Sequence, residues 1–188
     1  MLIAVRIEGQ TPLLMNRFTE AAQAKVATGT STAITSGTRG LPREQAAPKV
    51  YLNDAGKPIV PGPNVAACIV AAGEHVKAGR SKLSTKKSSL IPAGITLLEP
   101  ELPITPAAWE VDSRSVVIPA TGGRVMCHRP RFDKWALGFT LDVDETMFSE
   151  QLVRELVDLA GKRIGLGDFR PARRGPFGRF AVVSWKKT

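Results

Sequence analysis

Two cysteines, two histidines and one tyrosine are all that 188 residues supply of the most versatile side chains. Cys68 and Cys127 lie far apart and in no C-x-x-C pair. That excludes a disulfide framework and zinc-ligand spacing; both read as small buried apolar groups in a reducing compartment. His75 and His128 leave little material for proton transfer, and neither has an evident partner in sequence, so no catalytic residue is assigned. A His/carboxylate cluster that would argue for a metal is missing. Gly165-Leu-Gly-Asp-Phe-Arg170 lacks the third glycine of a dinucleotide fingerprint, and no Walker-type Gly-Lys-Ser/Thr occurs. Neither a cofactor nor a metal is therefore expected. No apolar run approaches bilayer-spanning length, and Met1 leads directly into a strand pattern, without a charged head, apolar stretch and cleavage site. The expectation is a cytoplasmic protein with no membrane partner.

Acidic charge is also scarce: 17 Asp and Glu stand against 26 Lys and Arg, a net charge of +9. Such a balance favours a polyanionic partner, nucleic acid before membrane. The excess is densest in residues 161–180, where Lys162, Arg163, Arg170, Arg173, Arg174 and Arg179 face a single acid, Asp168. Gly161, Gly165, Gly167, Gly175 and Gly178 are interleaved with them. A loop of this kind suits phosphate: glycines permit close backbone approach, backbone N–H groups form a nest, and arginine forks reach the oxygens. Phe169 and Phe177 offer stacking faces for unpaired bases. A plain helix-to-strand turn with a solvated rim needs far fewer residues.

The remaining elements follow from periodicity. Ile3, Val5 and Ile7 alternate with Ala4, Arg6 and Glu8 in a first strand with one buried face. Residues 19–49 are rich in Ala, Thr, Ser, Gly and Gln, poor in large apolar groups, and read as an extended insertion loop. Asn53-Asp-Ala-Gly56 is a hairpin-like turn. Pro63 opens a helix whose Val65, Ile69, Ala72 and Val76 share one face. Residues 80–87 form a basic loop in which Lys86 and Lys87 are candidate phosphate contacts. Gly94 to Leu98 reads as a strand. Val111–Pro119 and Arg124–His128 pair across Ala120-Thr-Gly-Gly123, and their exit carries His128, Arg129, Arg131 and Phe132, a small basic patch. A half-buried strand follows at Leu137–Val143. Ser149 caps the second helix, Phe148 and Val153 stand at staple positions, and Gly161 is placed to end it. A last strand runs from Arg179 to Trp185.

Without the insertions the order is strand, helix, strand, strand, helix, strand. The expected fold is α+β: one domain over residues 1–188, with a ferredoxin-like or RRM-like βαββαβ core. The long insertion follows the first strand and the glycine-rich loop precedes the last. Three segments also carry a resemblance. Val5-Arg-Ile-Glu-Gly-Gln-Thr-Pro-Leu13, Lys57-Pro-Ile-Val-Pro-Gly-Pro-Asn-Val-Ala-Ala67 and Ile164-Gly-Leu-Gly-Asp-Phe-Arg-Pro171 with Phe177-Gly-Arg-Phe180 resemble the first strand, the "IPG" turn and the C-terminal glycine-rich loop of the RAMP superfamily. Within it they are similar to the CRISPR backbone subunits that coat guide RNA, as a distant or phage-borne relative. The resemblance implies an RNA-binding core and an insertion that reaches over a neighbour. It also implies head-to-tail assembly with further copies of the chain and contact with other effector-complex subunits. Some relatives cleave target RNA with an aspartate after the first strand; between Gly9 and Ala47 this chain has only Glu20 and Glu44 as acids, so that activity is not carried over. The serine-lysine pair usual after the "IPG" turn is replaced by Asn64 and small residues.

The leading reading is a non-catalytic protein that coats single-stranded nucleic acid, RNA or single-stranded DNA, as repeated copies. Two alternatives stay open: a metal-independent endoribonuclease using His75 or His128, and a basic scaffold that docks an acidic partner protein.

Overall fold

The computed structural model describes residues 1–29, 40–117 and 122–187. Strand β1 (Leu2–Gly9) buries Ile3, Val5 and Ile7 and exposes the residues between them, as the alternation requires. Strand β2 is the short Leu13–Leu14 segment. Helix α1 (Glu20–Ala27) and helix α2 (Pro42–Ala46), prolonged by a 3₁₀ turn over Ala47–Lys49, occupy both ends of the insertion. The segment expected to be an extended loop therefore opens and closes in helix; its middle, residues 30–39, lies outside the described residues.

Strand β3 (Ile59–Pro61) leads into α3 (Gly62–Ala72), with Pro63 in its first turn and a 3₁₀ turn over Gly73–His75 at its end. Strands β4 (Lys77–Ala78) and β5 (Ser81–Lys82) form a small hairpin in the basic loop. A single helical turn, α4 (Ile91–Gly94), precedes β6 (Ile95–Leu97), and β7 (Glu101–Pro103) pairs with β3. Strands β8 (Glu110–Val117) and β9 (Arg124–Phe132) make the long hairpin; the expected turn, Ala120–Gly123, falls partly outside the described residues. Strand β10 (Ala136–Val143), helix α5 (Glu150–Leu159) and strand β11 (Phe180–Lys187) complete the chain. No helix among the described residues is long and apolar enough to cross a membrane.

The fold is α+β. Its principal sheet has the order β11-β1-β10-β6, antiparallel throughout. A second sheet, β2-β9-β8, stands on the turn that leaves β1. Ile3, Val5 and Ile7 share one hydrophobic core with Leu137, Phe139 and Leu141 of β10 and with the apolar stripes of α3 and α5. Those stripes are Val65, Ile69 and Ala72 on α3, and Val153, Leu156 and Val157 on α5. Each such large apolar side chain contributes roughly 1.5–3 kcal/mol on full burial.

The second helix begins as its sequence specifies. Ser149 accepts a hydrogen bond from the Leu152 N–H (3.3 Å), and Phe148 and Val153 are both buried. Its end is a correction. Gly161 does not terminate the helix: the chain widens into a π turn over Ala160–Ile164, closed by the Gly165 N–H on the Ala160 carbonyl (2.8 Å). Gly165, at φ 72°, is the residue that stops it. Gly161 is buried with the backbone of Phe180 directly against its Cα, so glycine is needed there for closeness, not for turning.

Candidate nucleic-acid interface

The glycine-rich loop is pinned along the turn that follows β1. Asp168 N–H donates to the Leu14 carbonyl (2.8 Å), Gly178 N–H to the Pro12 carbonyl (2.8 Å) and Arg179 N–H to Thr11 Oγ1 (3.0 Å). Across the loop, Leu166 N–H reaches the Gly178 carbonyl (2.9 Å), and Gly175 N–H the Arg170 carbonyl (3.0 Å). Gly165, Gly167 and Gly178 have positive φ, as do Phe169 and Arg174, which carry side chains and accept some strain there. With so many amides engaged internally, the expected nest of free backbone N–H groups is not formed. What the loop offers outward is its side chains.

Those side chains border a groove of about 950 Å³ between the loop and α3. One wall is the π turn and loop, presenting Arg163, Arg170 and Arg173. The other is a stripe along α3 and its 3₁₀ extension: Asn64, Ala67, Cys68, Ala71, then Glu74 and His75. Lys86 comes in from the basic loop, and Leu13, Met15 and Tyr51 complete the lining. The alanines make a low wall, so the groove stays open above the helix. Beneath it, Cys68 holds the two walls together: its thiol donates to the Gly165 carbonyl (3.3 Å), and burial pushes it up to about 12 against the opposing pull of Arg170.

The cations divide by what they already touch. The side chains of Arg163, Arg173 and Lys86 are exposed and make no hydrogen bond or ion pair among the described residues. The side chains of Lys162, Arg174 and Lys87 are likewise exposed and unpaired, close by in sequence but outside the groove lining. Arg170 is half-buried and gives one N–H to the Gly167 carbonyl (2.8 Å). Arg179 is spent on the Lys162 carbonyl, clamping the π turn to the last strand.

The Arg129–Arg131 patch is placed differently. Arg129 Nε lies 2.7 Å from Asp168 Oδ2, an ionic contact whose N–H is poorly aligned on the oxygen, and Asn16 Nδ2 approaches the same carboxylate oxygen (3.3 Å). Arg131 is surrounded by Asp133, Glu110 and Asp112, and these acids raise its pKa, the hydrogen bond to Asp133 first. Asp112 is buried and held by Arg114 Nε (2.7 Å). Both arginines thus meet carboxylates inside the protein, whereas the sequence left them facing a ligand. His128 Nδ1 pairs with Ser113 Oγ (2.7 Å) across the hairpin and does not line the groove, while His75 does. Phe169 is 39% exposed and keeps a free face; Phe177 is buried under the Arg114 guanidinium, 4.8 Å from its ring centre, and offers none.

No family model and no curated protein matches the chain. Solved structures do. The chain is similar in fold to a chain of the Type III-B Cmr-beta complex bound to cognate target RNA, with a TM-score of 0.55 and 11% identity. The match takes in 98% of this chain and 59% of that one, so this chain spans well under two thirds of the neighbour's length. Cmr6 from Pyrococcus furiosus is matched more loosely, at a TM-score of 0.42 and 14% identity over 97% of this chain and 98% of that one. The likeness to the first is one of fold.

Sequence reasoning missed the α3 wall. Asn64, Glu74 and Tyr51 were not singled out for a site, although Asn64, Ala67, Ala71 and Glu74 repeat at helical spacing opposite the buried stripe. It also missed the acids that occupy Arg129 and Arg131. The hairpin register sets Glu110 opposite Arg131, which follows from pairing Val117 with Arg124 and counting outward, whereas Asp168, which meets Arg129, lies in the glycine-rich loop.

Proposed function

We propose that the chain is a non-catalytic subunit that holds single-stranded nucleic acid, RNA in the first place, in the groove between α3 and the glycine-rich loop. The observation that carries the reading is a set of unpaired cations, Arg163, Arg173 and Lys86, bordering one open groove. Cations left without internal partners at the rim of a cleft are available to phosphates, and phosphate contacts supply most of sequence-independent affinity. Phe169 adds one exposed ring for stacking. The β11-β1-β10-β6 order, with a helix after the first and third of the core strands, fits the ferredoxin-like arrangement. A neighbour of similar fold is described as part of a complex bound to target RNA, which supports an RNA-holding, CRISPR-associated role for this chain. In this reading repeated copies sit head to tail on the strand, inside a larger effector complex.

The test is salt dependence. Arg163→Ala and Arg173→Ala each weaken binding of a labelled single-stranded RNA and lower the slope of log affinity against log salt by about one. Binding that ignores salt, or variants that leave the slope intact, removes the groove from consideration.

One alternative keeps a specific observation in its favour. His75 lines the groove that Lys86 also borders and His128 does not, so an endoribonuclease would use His75 and not His128. Incubating the protein with labelled RNA in EDTA distinguishes the readings: stable RNA supports the holding role, and cleavage abolished by His75→Ala replaces it.

A further inference from the structure

The groove is not cationic throughout. Where α3 passes into its 3₁₀ turn, Glu74 contributes a half-buried carboxylate to the lining with no hydrogen bond or ion pair among the described residues. An unneutralised carboxylate is a poor neighbour for phosphate, so this end of the groove is unsuited to the backbone of a nucleic acid. It is suited to hydrogen-bond donors. His75 and Lys86 line the same groove, and the chain leading to Lys86 is fastened beside Glu74 by the Ser84 N–H on the Gly73 carbonyl (3.2 Å). An acceptor with two oxygens, an ammonium donor and a flat ring thus line one groove, their side chains uncommitted among the described residues.

Resting on the groove reading above, we propose that Glu74 and Lys86 form a base-reading subsite selective for guanine. Unpaired bases present their Watson–Crick edges to proteins. Guanine alone places two adjacent donors, N1–H and the N2 amino group, beside an acceptor, O6. Its donors match the Glu74 carboxylate in a bidentate pair and its O6 matches the Lys86 ammonium, with the His75 ring available to the base face. Adenine and cytosine turn a ring-nitrogen acceptor toward the carboxylate, and uracil offers one donor between two carbonyls. Each of those leaves Glu74 unpaired or repelled. The phosphates on either side then fall to Arg163 and Arg173, so one groove divides into a reading end and a holding end.

Fluorescence anisotropy of the full chain with uridine strands of about ten nucleotides tests this. The strands carry one central guanine, inosine, adenine or cytosine, or uridine throughout. The guanine strand binds about ten-fold more tightly than the all-uridine strand, and inosine, which lacks the N2 amino group, falls between. Glu74→Gln, nearly isosteric and checked for an unchanged melting temperature, abolishes the guanine preference without weakening the all-uridine strand. Equal affinity for guanine and uridine strands overturns the subsite and leaves the phosphate-holding groove standing. So does a guanine preference that survives Glu74→Gln. Failure of every strand to bind overturns the groove reading itself. The same preference is expected on deoxyribose strands, because the contacts are to the base; one confined to ribose overturns the assignment to Glu74.

Discussion

Cys68 ties stability to the shape of the groove. Its thiol joins α3 to the Gly165 carbonyl directly beneath the groove, and burial raises its pKa to about 12. In the unfolded chain a cysteine titrates near 8.5. The native state therefore keeps a proton that the unfolded state releases in alkali. The associated stability is fully present below about pH 8.5 and is lost as pH rises toward the native value. Urea midpoints taken upward from neutral pH should fall more steeply for the wild type than for Cys68→Ala; parallel profiles would mean that the thiol is not held protonated. Asp168 makes a second case. It is the acid that fixes Arg129, whose side chain is only 12% exposed, and its backbone is tied to Leu14. Asp168→Asn leaves a largely buried guanidinium without its counter-charge and should cost about 1–3 kcal/mol in thermal or chemical melting. A variant that melts like the wild type would show that the pair is not structural.

At the scale of elements, the signals confined to a few neighbouring residues are the ones the structure repeats. The Ser149 cap is one: Ser149→Ala should lower stability by about 0.5–2 kcal/mol, and hydrogen exchange should report faster opening of the first turn of α5. Strand β1 was legible from Ile3, Val5 and Ile7 for the same reason, since one buried face writes a period of two into the chain. What was not legible depends on partners remote in sequence. Gly161 looked like a helix stop because the residue type permits one, yet it is glycine so that the backbone of Phe180, brought in by β11, can lie against it. The Asp168 and Gly178 amides looked free because their acceptors, Leu14 and Pro12, belong to the other end of the chain. Arg129 and Arg131 looked like a patch because the acids that meet them are cross-strand or loop residues. The cationic wall of the groove could be read from 161–180; the α3 wall could not, because nothing in sequence says which helix faces that loop.

For the whole molecule the net charge of +9 becomes a statement about assembly. Two free copies repel, and the repulsion is greatest where both present the unpaired arginines of the glycine-rich loop. A polyanion reverses this, since each copy that settles on the strand exchanges condensed counterions for its own cations. Copies should therefore gather only on nucleic acid, with a ratio that rises with strand length at roughly one per 4–16 nucleotides. Light scattering of the protein alone and with RNAs of increasing length measures that ratio directly. Treating the mixture with nuclease should return the mass of the free protein. Large assemblies that persist after digestion would point to protein–protein contacts as the cause, and one copy per strand at every length would make this a single-site binder. Raising the salt separates the remaining cases: a strand-driven array dissolves as the phosphate contacts weaken, whereas one built on apolar contact between copies does not.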